Sequence, residues 1–183
     1  MTLEEAKTAA RKAAFARRRL AHGPHPAAGH LSSFLAGHRG VPVAGYMPIN
    51  TEIDPLPAME EAAAHGPVGV PVIEGAGQPL TFARWAPGAA MKVGAFKALI
   101  PAEPVAMTPE IVIVPLVAFT RSGGRLGYGG GFYDRTLEGL RSARPTLAAG
   151  FAYAAQETDA LPLEATDQPL DLIITEREII DLR

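Results

Sequence analysis

Short apolar segments rich in Val, Ile and Leu alternate along the chain with mixed polar and apolar stretches that predict helices. The longest apolar segment, residues 111–119 (IVIVPLVAF), places β-branched residues at consecutive positions. That pattern is typical of a strand that is buried on both faces of a parallel sheet. Strands that alternate with helices therefore predict an α/β fold, a three-layer αβα sandwich around a mainly parallel, mixed sheet of the Rossmann-like kind.

Capping and stop signals locate the helices. Thr2 and Glu5 have the spacing of a capping box, and residues 3–20 contain neither glycine nor proline, so a helix is predicted there. Gly23 and Pro24 end it. Three more helices are predicted within residues 27–36, 58–65 and 132–141. Strands are predicted at residues 43–46, 68–73, 80–86, 111–119, 146–153 and 170–175, with a short edge piece at the last Glu-Ile-Ile.

Length and composition indicate an ordinary globular protein. The 183 residues are 48% hydrophobic and 20% charged, so one domain with a sizeable core is expected over residues 1–183. No apolar run is long enough to cross a membrane, and charged residues occupy the first helix where a signal peptide has an apolar region. We therefore expect a cytoplasmic protein, monomeric or weakly dimeric.

Cysteine content and net charge exclude several kinds of chemistry. The absence of cysteine excludes disulfides, thiolate nucleophiles and cysteine zinc sites. A formal net charge of -2 gives no general attraction to nucleic acid or to an anionic membrane, so neither is an expected partner. Any anion that the protein recognises must be held by local groups.

Residues 123–131 (GGRLGYGGG), called the glycine loop below, contain six glycines and follow the most apolar predicted strand. In open α/β sheets, ligands bind where loops leave the carboxyl ends of the strands. Glycines let backbone N–H groups converge on an anion, and a helix beginning at Phe132 adds its own free N–H groups, which favours phosphate. The loop matches neither the P-loop, which needs Gly-Lys-Ser/Thr, nor the dinucleotide fingerprint, which needs a third glycine where Phe132 stands.

An ordinary long surface turn is the alternative explanation of these glycines. Arg125 and Arg135 favour an anion site over that alternative, since an oligophosphate needs positive charge and a plain turn does not. Asp134 has two equally supported interpretations on position alone. It is either a functional carboxylate or one that the helix dipole stabilises in the first turn.

Three basic residues of the first helix, Lys7, Arg11 and Arg18, form what we call the basic stripe. They lie four and seven residues apart, which places them within about 40° of one another on one helix face. An anion opposite the stripe would explain why like charges stand four residues apart. A solvated face relieved by nearby acidic residues is the alternative. A weaker third hypothesis is a nucleic-acid-binding helix over residues 11–19.

Several blocks of the sequence resemble one known family. The central block, RLGYGGGFYDRTL (residues 125–137) preceded by VPLVAF (residues 114–119), is highly specific. The basic first helix, YMPINTEID (residues 46–54) and LPLEATDQPLDLIITE (residues 161–176) are similar to family blocks in the same order. Over nearly its whole length the chain resembles the 5-formyltetrahydrofolate cyclo-ligases, also called 5,10-methenyltetrahydrofolate synthetases.

The resemblance implies an enzyme of folate metabolism, a ligase that depends on Mg²⁺ and uses ATP as co-substrate. In the family's reaction ATP phosphorylates the formyl oxygen of 5-formyltetrahydrofolate, and N10 closes onto the activated carbon. Phosphate and ADP are released, and 5,10-methenyltetrahydrofolate is formed.

Matched position by position, the family's motifs imply three groups of site residues and make Arg125 the catalytic residue. The implied ATP-binding residues are Lys7, Arg11, Arg125, Leu126, Gly127, Tyr128, Gly129, Gly130, Gly131, Phe132 and Tyr133. The implied folate-binding residues are Tyr46, Glu52, Tyr128, Gly129, Gly130, Gly131 and Phe132. The implied metal-binding residues, acting directly or through water, are Asp134 and Asp167.

Three positions depart from the family's pattern. Thr120 stands where many relatives have Asp, Ala165-Thr166 stands where they have Glu-His, and Gly130 stands where some have Lys. The first two changes concern the support of metal ligands. They motivate an alternative function, that of a non-catalytic relative which binds nucleotide or folate as a sensor or accessory protein.

Overall fold

The computed structural model describes residues 1–164 and 167–183, in which helices and strands alternate as the sequence predicts. The helices are α1 (Leu3–Ala21), α2 (Gly29–Ala36), α3 (Leu56–Ala63) and α4 (Phe132–Ala143), with short 3₁₀ helices at Ala95–Lys97 and Ala154–Gln156. The strands are β1 (Val43–Ala44), β2 (Val68–Ile73), β3 (Leu80–Trp85), β4 (Met91–Val93), β5 (Leu99–Pro101), β6 (Ala106–Met107), β7 (Ile111–Pro115), β8 (Ala118–Phe119), β9 (Arg125–Leu126), β10 (Leu147–Phe151), β11 (Leu172–Ile174) and β12 (Ile179–Asp181).

Eight of these strands form one mixed sheet in the order β12-β11-β10-β7-β1-β2-β3-β6. The strands from β11 to β2 are parallel to one another, whereas β12 at one edge and β3 and β6 at the other pair antiparallel. β7 lies near the centre, between β10 and β1. The predicted α/β fold with a mainly parallel, mixed sheet is thereby confirmed.

Alternate residues of β7 contribute to the two halves of the core. Ile111 and Ile113 pack on the side of α2 and α3, whereas Val112 and Val114 pack on the side of α4. All four residues are at most 2% exposed. Helices therefore cover both faces of the sheet, which confirms the three-layer arrangement and explains the near-continuous apolar sequence of this strand.

The predicted strand over residues 111–119 is wrong beyond Pro115. Proline has no N–H group to continue a central ladder, and β7 ends at this residue. The apolar residues that follow leave the sheet, and β8 pairs antiparallel with β9 in a separate hairpin. β9 lies inside the glycine loop, where the sequence predicted no strand.

Gln156 holds the chain where β7 gives way to β8. This side chain is 1% exposed, and its Nε2 donates to the carbonyl oxygens of Leu116 at 2.7 Å and Val117 at 3.1 Å. Its Oε1 accepts the N–H of Tyr153 at 2.8 Å. One buried amide therefore satisfies three backbone groups that no strand or helix serves.

α1 packs on the β8–β9 hairpin, above the end of β7. Thr2 and Glu5 form the predicted capping box at its start. Ala14 is fully buried against Val117 and Leu126. Among the helices of residues 1–164 and 167–183, none is both long enough and apolar enough to span a membrane.

The remaining predicted elements are confirmed with boundaries shifted by at most two residues. Sequence analysis missed the β4–β5 hairpin and the edge strand β6. All three strands are only two or three residues long, and β4 and β6 are largely exposed, with Val93 68% exposed, so they are too short to show the apolar alternation that marks a half-buried strand.

We expect the Gln156→Met substitution to lower the free energy of unfolding by about 2 to 4 kcal/mol, because the buried carbonyls of Leu116 and Val117 lose their donor. Urea denaturation of the purified protein measures this change. Gln78→Met, at an exposed loop position, is the matched control and should stay within about 0.5 kcal/mol. Equal values for the two variants would contradict this role of Gln156.

Candidate functional site

Two loops leave the same edge of the sheet. β1 and β7 are parallel neighbours, with Val43 opposite Ile111, so the segments after the two strands emerge side by side. Tyr128, in the segment after β7, donates its hydroxyl to Glu52 Oε2, in the segment after β1, at 2.7 Å. The residues that the sequence singled out in both loops therefore meet at the carboxyl edge of the sheet.

The glycine loop leads directly into α4. Gly131, with φ of 68°, precedes the first turn of this helix, and no side chain caps that end. The first N–H groups of α4 consequently have neither an intrahelical acceptor nor a side-chain cap. A helix start of this kind, next to further loop amides, is suited to an anion.

The basic stripe faces the glycine loop. Arg11 Nε donates to the Gly127 carbonyl at 2.9 Å. A Cβ atom added at Gly129 would lie 3.2 Å from Arg11 Nη2, so the guanidinium lies across the loop. One turn earlier, Lys7 Nζ pairs with Glu164 Oε1 at 2.6 Å, and the lysine side chain is only 12% exposed. The alternative of a solvated face is therefore wrong for these residues.

Arg18, the third member of the stripe, is buried at 2% exposure. Its Nε donates to Thr51 Oγ1 at 2.9 Å and its Nη1 donates to the Tyr128 hydroxyl at 2.7 Å. Arg17 likewise donates to the Ala155 carbonyl at 3.0 Å. Because these guanidinium groups bind their own chain, the structure gives no support to a nucleic-acid-binding helix over residues 11–19.

Arg125 and Asp134 form an ion pair at the start of α4. Arg125 Nη2 bonds to Asp134 Oδ1, which also accepts the Gln168 N–H at 2.8 Å. Arg135 donates to the Gly130 carbonyl at 2.6 Å. In the part of the chain that the structure describes, the Nε atoms of both arginines are buried without a partner. Unpaired buried donors are costly, so two of them beside the glycine loop suit an anionic ligand.

The two predicted metal ligands come from segments that meet at Gln168. Asp134 accepts the N–H of Gln168, and the neighbouring Asp167 accepts the N–H of Glu164 at 2.9 Å. Within the described residues, no group of three His, Asp or Glu side chains is arranged to hold a metal ion. Mg²⁺ in nucleotide sites uses one or two carboxylates together with phosphate oxygens and water. The two aspartates therefore fit a Mg²⁺ that arrives with a nucleotide.

Glu52 is buried, at 5% exposure, although it lies in a polar, proline-bounded loop. Its Oε1 accepts the Ile49 N–H at 2.9 Å and its Oε2 accepts the Tyr128 hydroxyl. Burial raises the pKa of Glu52, while the hydrogen bonds from Tyr128 and Ile49 and the charge of Arg18 oppose that rise. Two hydrogen bonds therefore hold this buried carboxyl in a fixed position.

Tyr46 lies behind Glu52. It is 2% exposed and donates its hydroxyl to the Ile53 carbonyl at 2.7 Å, which fixes the segment that carries Glu52. Burial, and secondarily the charge of Glu52, raises the pKa of Tyr46, of Tyr128 and of Tyr133. All three phenols therefore remain protonated hydrogen-bond donors at neutral pH.

The other predicted site residues differ in what they expose. Leu126 is 3% exposed and packs under α1, so it offers only backbone groups to a ligand. Phe132 is half-buried, and its ring centroid lies 6.1 Å from that of Phe96, which is 67% exposed. This aromatic pair lies at the end of the glycine loop.

The departures from the family's pattern have local explanations at two positions. Thr120 Oγ1 accepts the Gly124 N–H at 2.9 Å, and its own N–H donates to the Gly124 carbonyl at 2.8 Å, so threonine closes this turn. A Cβ at Gly130 would lie 2.7 Å from the Phe132 ring, so that ring has to move to admit a side chain there. Ala165-Thr166 lies outside the described residues.

Sequence reasoning missed the parts played by Thr51 and Gln168. Thr51 accepts from Arg18, and the backbone of Gln168 joins the segments of the two aspartates. Both lie inside the blocks that carry the resemblance, which is the one sequence signal that could have directed attention to them.

Replacing Gly129 by alanine is expected to lower the free energy of unfolding by about 1 to 3 kcal/mol. Its φ of 100° is one that alanine rarely adopts, and the added methyl would press on the Arg11 guanidinium. Urea denaturation provides the measurement. Gly127→Ala is the matched control, since its φ is not left-handed and nothing lies within 4 Å of the added methyl. An equal loss in both variants would refute the conformational requirement at Gly129.

Comparison with known sequences supplies an independent view of these blocks. The model of the 5-formyltetrahydrofolate cyclo-ligase family matches residues 4–176. The 5-formyltetrahydrofolate cyclo-ligase of Mycolicibacterium smegmatis is 29% identical over 166 residues, which cover 84% of each chain. That of Escherichia coli K12 is 43% identical over 70 residues, so the match spans only 38% of the length of that relative.

Solved structures agree with the fold. The NMR structure of Aquifex aeolicus 5,10-methenyltetrahydrofolate synthetase is similar with a TM-score of 0.72 and 29% sequence identity, over 100% of this chain and 94% of the other. The 5,10-methenyltetrahydrofolate synthetase of Mycoplasma pneumoniae has a TM-score of 0.65 at 24% identity, over 93% and 98% of the two chains, and supports the fold alone. Because the family model covers most of the sequence and the fold agrees over its full length, the chain belongs to the 5-formyltetrahydrofolate cyclo-ligase family.

Proposed function

We propose that the protein is an ATP-dependent 5-formyltetrahydrofolate cyclo-ligase that forms 5,10-methenyltetrahydrofolate, ADP and phosphate. The observation that carries the proposal is the meeting of two unlike surfaces at one sheet edge. Arg11 and the amide-rich glycine loop lie on one side, and the buried carboxyl of Glu52 is joined to them through Tyr128. The first surface suits a polyphosphate and the second suits a ring system with N–H donors.

The phosphates of ATP lie against the N-terminus of α4 in this proposal. The loop amides and the helix dipole bind them, and Arg11 and Arg125 neutralise charge on the transferred phosphoryl group. Arg125 is the proposed catalytic residue, because its guanidinium pairs with Asp134 at the start of α4, where the phosphates would lie. Lys7 reaches the phosphates only by exchanging its present partner, Glu164.

Asp134 and Asp167 are the proposed ligands of Mg²⁺, either directly or through water. When bound there, the ion supplies charge neutralisation to the phosphate oxygens. Asp134 also orients Arg125 through their ion pair, so its removal affects two components of the site.

The folate lies on the other side of the glycine loop. Glu52 accepts hydrogen bonds from N–H groups of the pterin-type ring. Tyr128, which is bonded to Glu52, and Phe132, which is paired with Phe96, contact the ring. Glycines 129–131 have no side chains and leave room for it. Tyr46 supports this folate-binding side by holding the segment that carries Glu52, through its hydrogen bond to the Ile53 carbonyl.

The reaction proceeds in two balanced steps. The formyl oxygen attacks the γ-phosphorus of ATP, the bond to the bridging oxygen breaks, and ADP leaves. N10 then adds to the formyl carbon, the carbon–oxygen bond to phosphate breaks, and N10 loses its proton as the ring closes. An amide oxygen is a poor leaving group and phosphate is a better one, so phosphorylation makes the ring closure possible. Because ATP supplies this activation, the protein has to position the reactants and neutralise charge, and no nucleophilic side chain is needed.

The direct test is to mix purified protein with 5-formyltetrahydrofolate and Mg-ATP and to follow the absorbance of methenyltetrahydrofolate. An ATP-dependent rise is expected. Absence of the rise, together with tight folate or nucleotide binding in isothermal titration calorimetry, would overturn the proposal in favour of the accessory-protein alternative. Absence of both would overturn both hypotheses.

Asp134→Asn is expected to lower kcat/KM by about 100-fold, because the residue serves Mg²⁺ and Arg125 together. Initial rates as a function of Mg²⁺ concentration separate the two effects. A metal ligand predicts that the Mg²⁺ concentration for half-maximal rate rises by about 10-fold.

Asp171→Asn is the matched control for Asp134→Asn. Asp171 also pairs with an arginine, Arg141 at 3.0 Å. It precedes β11, however, and so lies at the amino end of the parallel strands, whereas the glycine loop follows their carboxyl end. Its replacement should leave the Mg²⁺ dependence unchanged. An unchanged Mg²⁺ dependence in Asp134→Asn as well would refute the metal role and leave only the orientation of Arg125.

Activity is expected to fall in acid because Glu52 takes up a proton. Burial raises its pKa above the ordinary value of 4.5, so its charge is lost at a higher pH than that of an exposed glutamate. The value of kcat/KM for the folate should fall as the pH drops through this raised pKa. The pH profile of Glu52→Gln should lack that acid limb.

Protonation of Glu52 does not itself unfold the protein. Because the pKa is raised in the folded state, the associated stability is fully present below the unfolded value and is lost as the pH rises through the folded-state pKa. Circular dichroism over the same pH range serves as the check. An acid limb that survives in Glu52→Gln would contradict the assignment.

A further inference from the structure

Among the described residues, Arg18 is the largest of the side chains that the fold buries almost completely. Its guanidinium lies beside two neighbouring aromatic rings, with Cζ 5.0 Å from the centroid of Phe15 and 5.8 Å from that of Tyr128. Its hydrogen bonds go to Thr51 after β1 and to Tyr128 after β7. One side chain of α1 thus binds both loops that form the site.

Arg18 is linked to the carboxylate of Glu52 through the hydroxyl group of Tyr128. No carboxylate oxygen lies within 4.0 Å of Arg18 in residues 1–164 and 167–183. Instead Arg18 Nη1 donates to the Tyr128 hydroxyl, which donates in turn to Glu52 Oε2. A buried cation and a buried anion are therefore joined in one hydrogen-bonded chain, as buried charges require.

Among the residues that the structure describes, Arg18 is the cation whose charge acts on Glu52. From α1 it acts on the carboxyl with a charge that favours ionisation. Three phenols also interact with this carboxyl: Tyr46 after β1, Tyr128 in the glycine loop and Tyr133 in α4. All three are neutral, and Asp54, which also interacts with Tyr46, is negative.

We propose that Arg18 is a positioning residue of the folate site, which keeps Glu52 ionised and Tyr128 in place for the ring that they receive. The inference rests on the proposed function, since it gives Glu52 the part of substrate contact. It assigns α1 two tasks at positions two turns apart, because Arg11 serves the glycine loop and Arg18 serves the carboxyl beside it.

A purely structural role would not require a guanidinium here. An apolar side chain could fill a buried position on α1 without the cost of removing a charge from water, and buried ion pairs are often no more stable than apolar replacements. Arg18 moreover binds Thr51, the residue next to Glu52, as well as the tyrosine that Glu52 accepts from. Both contacts act on the position and charge of the same carboxyl.

The test compares Arg18→Lys, which keeps the charge, with Arg18→Gln, which keeps a polar side chain without charge. Arg19→Gln, at an exposed position of the same helix, is the matched control. The first measurement needs no ligand. The side-chain carboxyl of Glu52 is titrated by ¹³C NMR in glutamate-labelled protein, and its resonance is assigned with Glu52→Gln.

We expect the titration midpoint of Glu52 to rise by about one pH unit in Arg18→Gln and by less in Arg18→Lys. The second measurement is steady-state kinetics at neutral pH. The KM for 5-formyltetrahydrofolate should rise by about 10-fold in Arg18→Gln, with partial recovery in Arg18→Lys, while the KM for ATP stays within about 3-fold of wild type. Arg19→Gln should match wild type in both measurements.

An Arg18→Gln protein that matches Arg19→Gln in the Glu52 midpoint and in folate KM, and differs only in thermal stability, would overturn the inference. If neither Arg18 variant folds, Thr51→Val removes the hydrogen bond that joins Arg18 Nε to the segment carrying Glu52. The folate KM should then rise while the KM for ATP stays within about 3-fold of wild type, and an unchanged folate KM would overturn the inference.

The experiment also separates this inference from the proposed function. A wild-type protein without folate binding or turnover would refute the proposed function, whereas the ligand-free titration still decides whether Arg18 controls Glu52. An active enzyme in which the Arg18 variants behave like the control would refute this inference alone.

Discussion

The parallel pairing of β1 with β7 is the contact on which the site depends. Because the two strands run in the same direction, the segments that follow Ala44 and Pro115 emerge at one edge of the sheet. Glu52 and Tyr128 meet there although they lie 76 residues apart in the sequence. A shift of one residue in the register would turn the side chains of β7 to the opposite faces of the sheet, so the apolar pattern of this strand also specifies where the site forms.

Most of the fold could be predicted because its signals are local and strong. The capping box of α1, the β-branched run of β7 and the glycines before α4 each determine the backbone near them. The end of β7 could not be read from apolar content, since residues 116–119 are as apolar as the strand itself and continue into a different sheet. The decisive features were a missing N–H at Pro115 and a glutamine, Gln156, about 40 residues downstream.

The sequence predicted candidate site residues but not how they are arranged. Helical periodicity placed Lys7, Arg11 and Arg18 on one face, but only the tertiary structure shows that they have different partners. The burial of Glu52 could not be inferred from a polar, proline-bounded loop, because it depends on Tyr128 from a distant segment. The hydrogen-bonded chain from Arg18 through Tyr128 to Glu52 therefore depends on how the two loops meet, and no local sequence pattern predicts it.

The order of the chain has a consequence for how the protein is made. α1 precedes the segments that it binds, and its distant polar partners lie 116 residues away for Arg11, 110 for Arg18 through Tyr128 and 157 for Lys7. On the ribosome this helix emerges long before any of them, and ordering such distant contacts is slow. The capping box and the acidic first turn stabilise α1 before its distant partners are synthesised. Because its surface is mostly polar, the helix exposes no large apolar face to water during that time. Synthesis of residues 127–164 therefore supplies the distant partners that hold α1 at the binding edge.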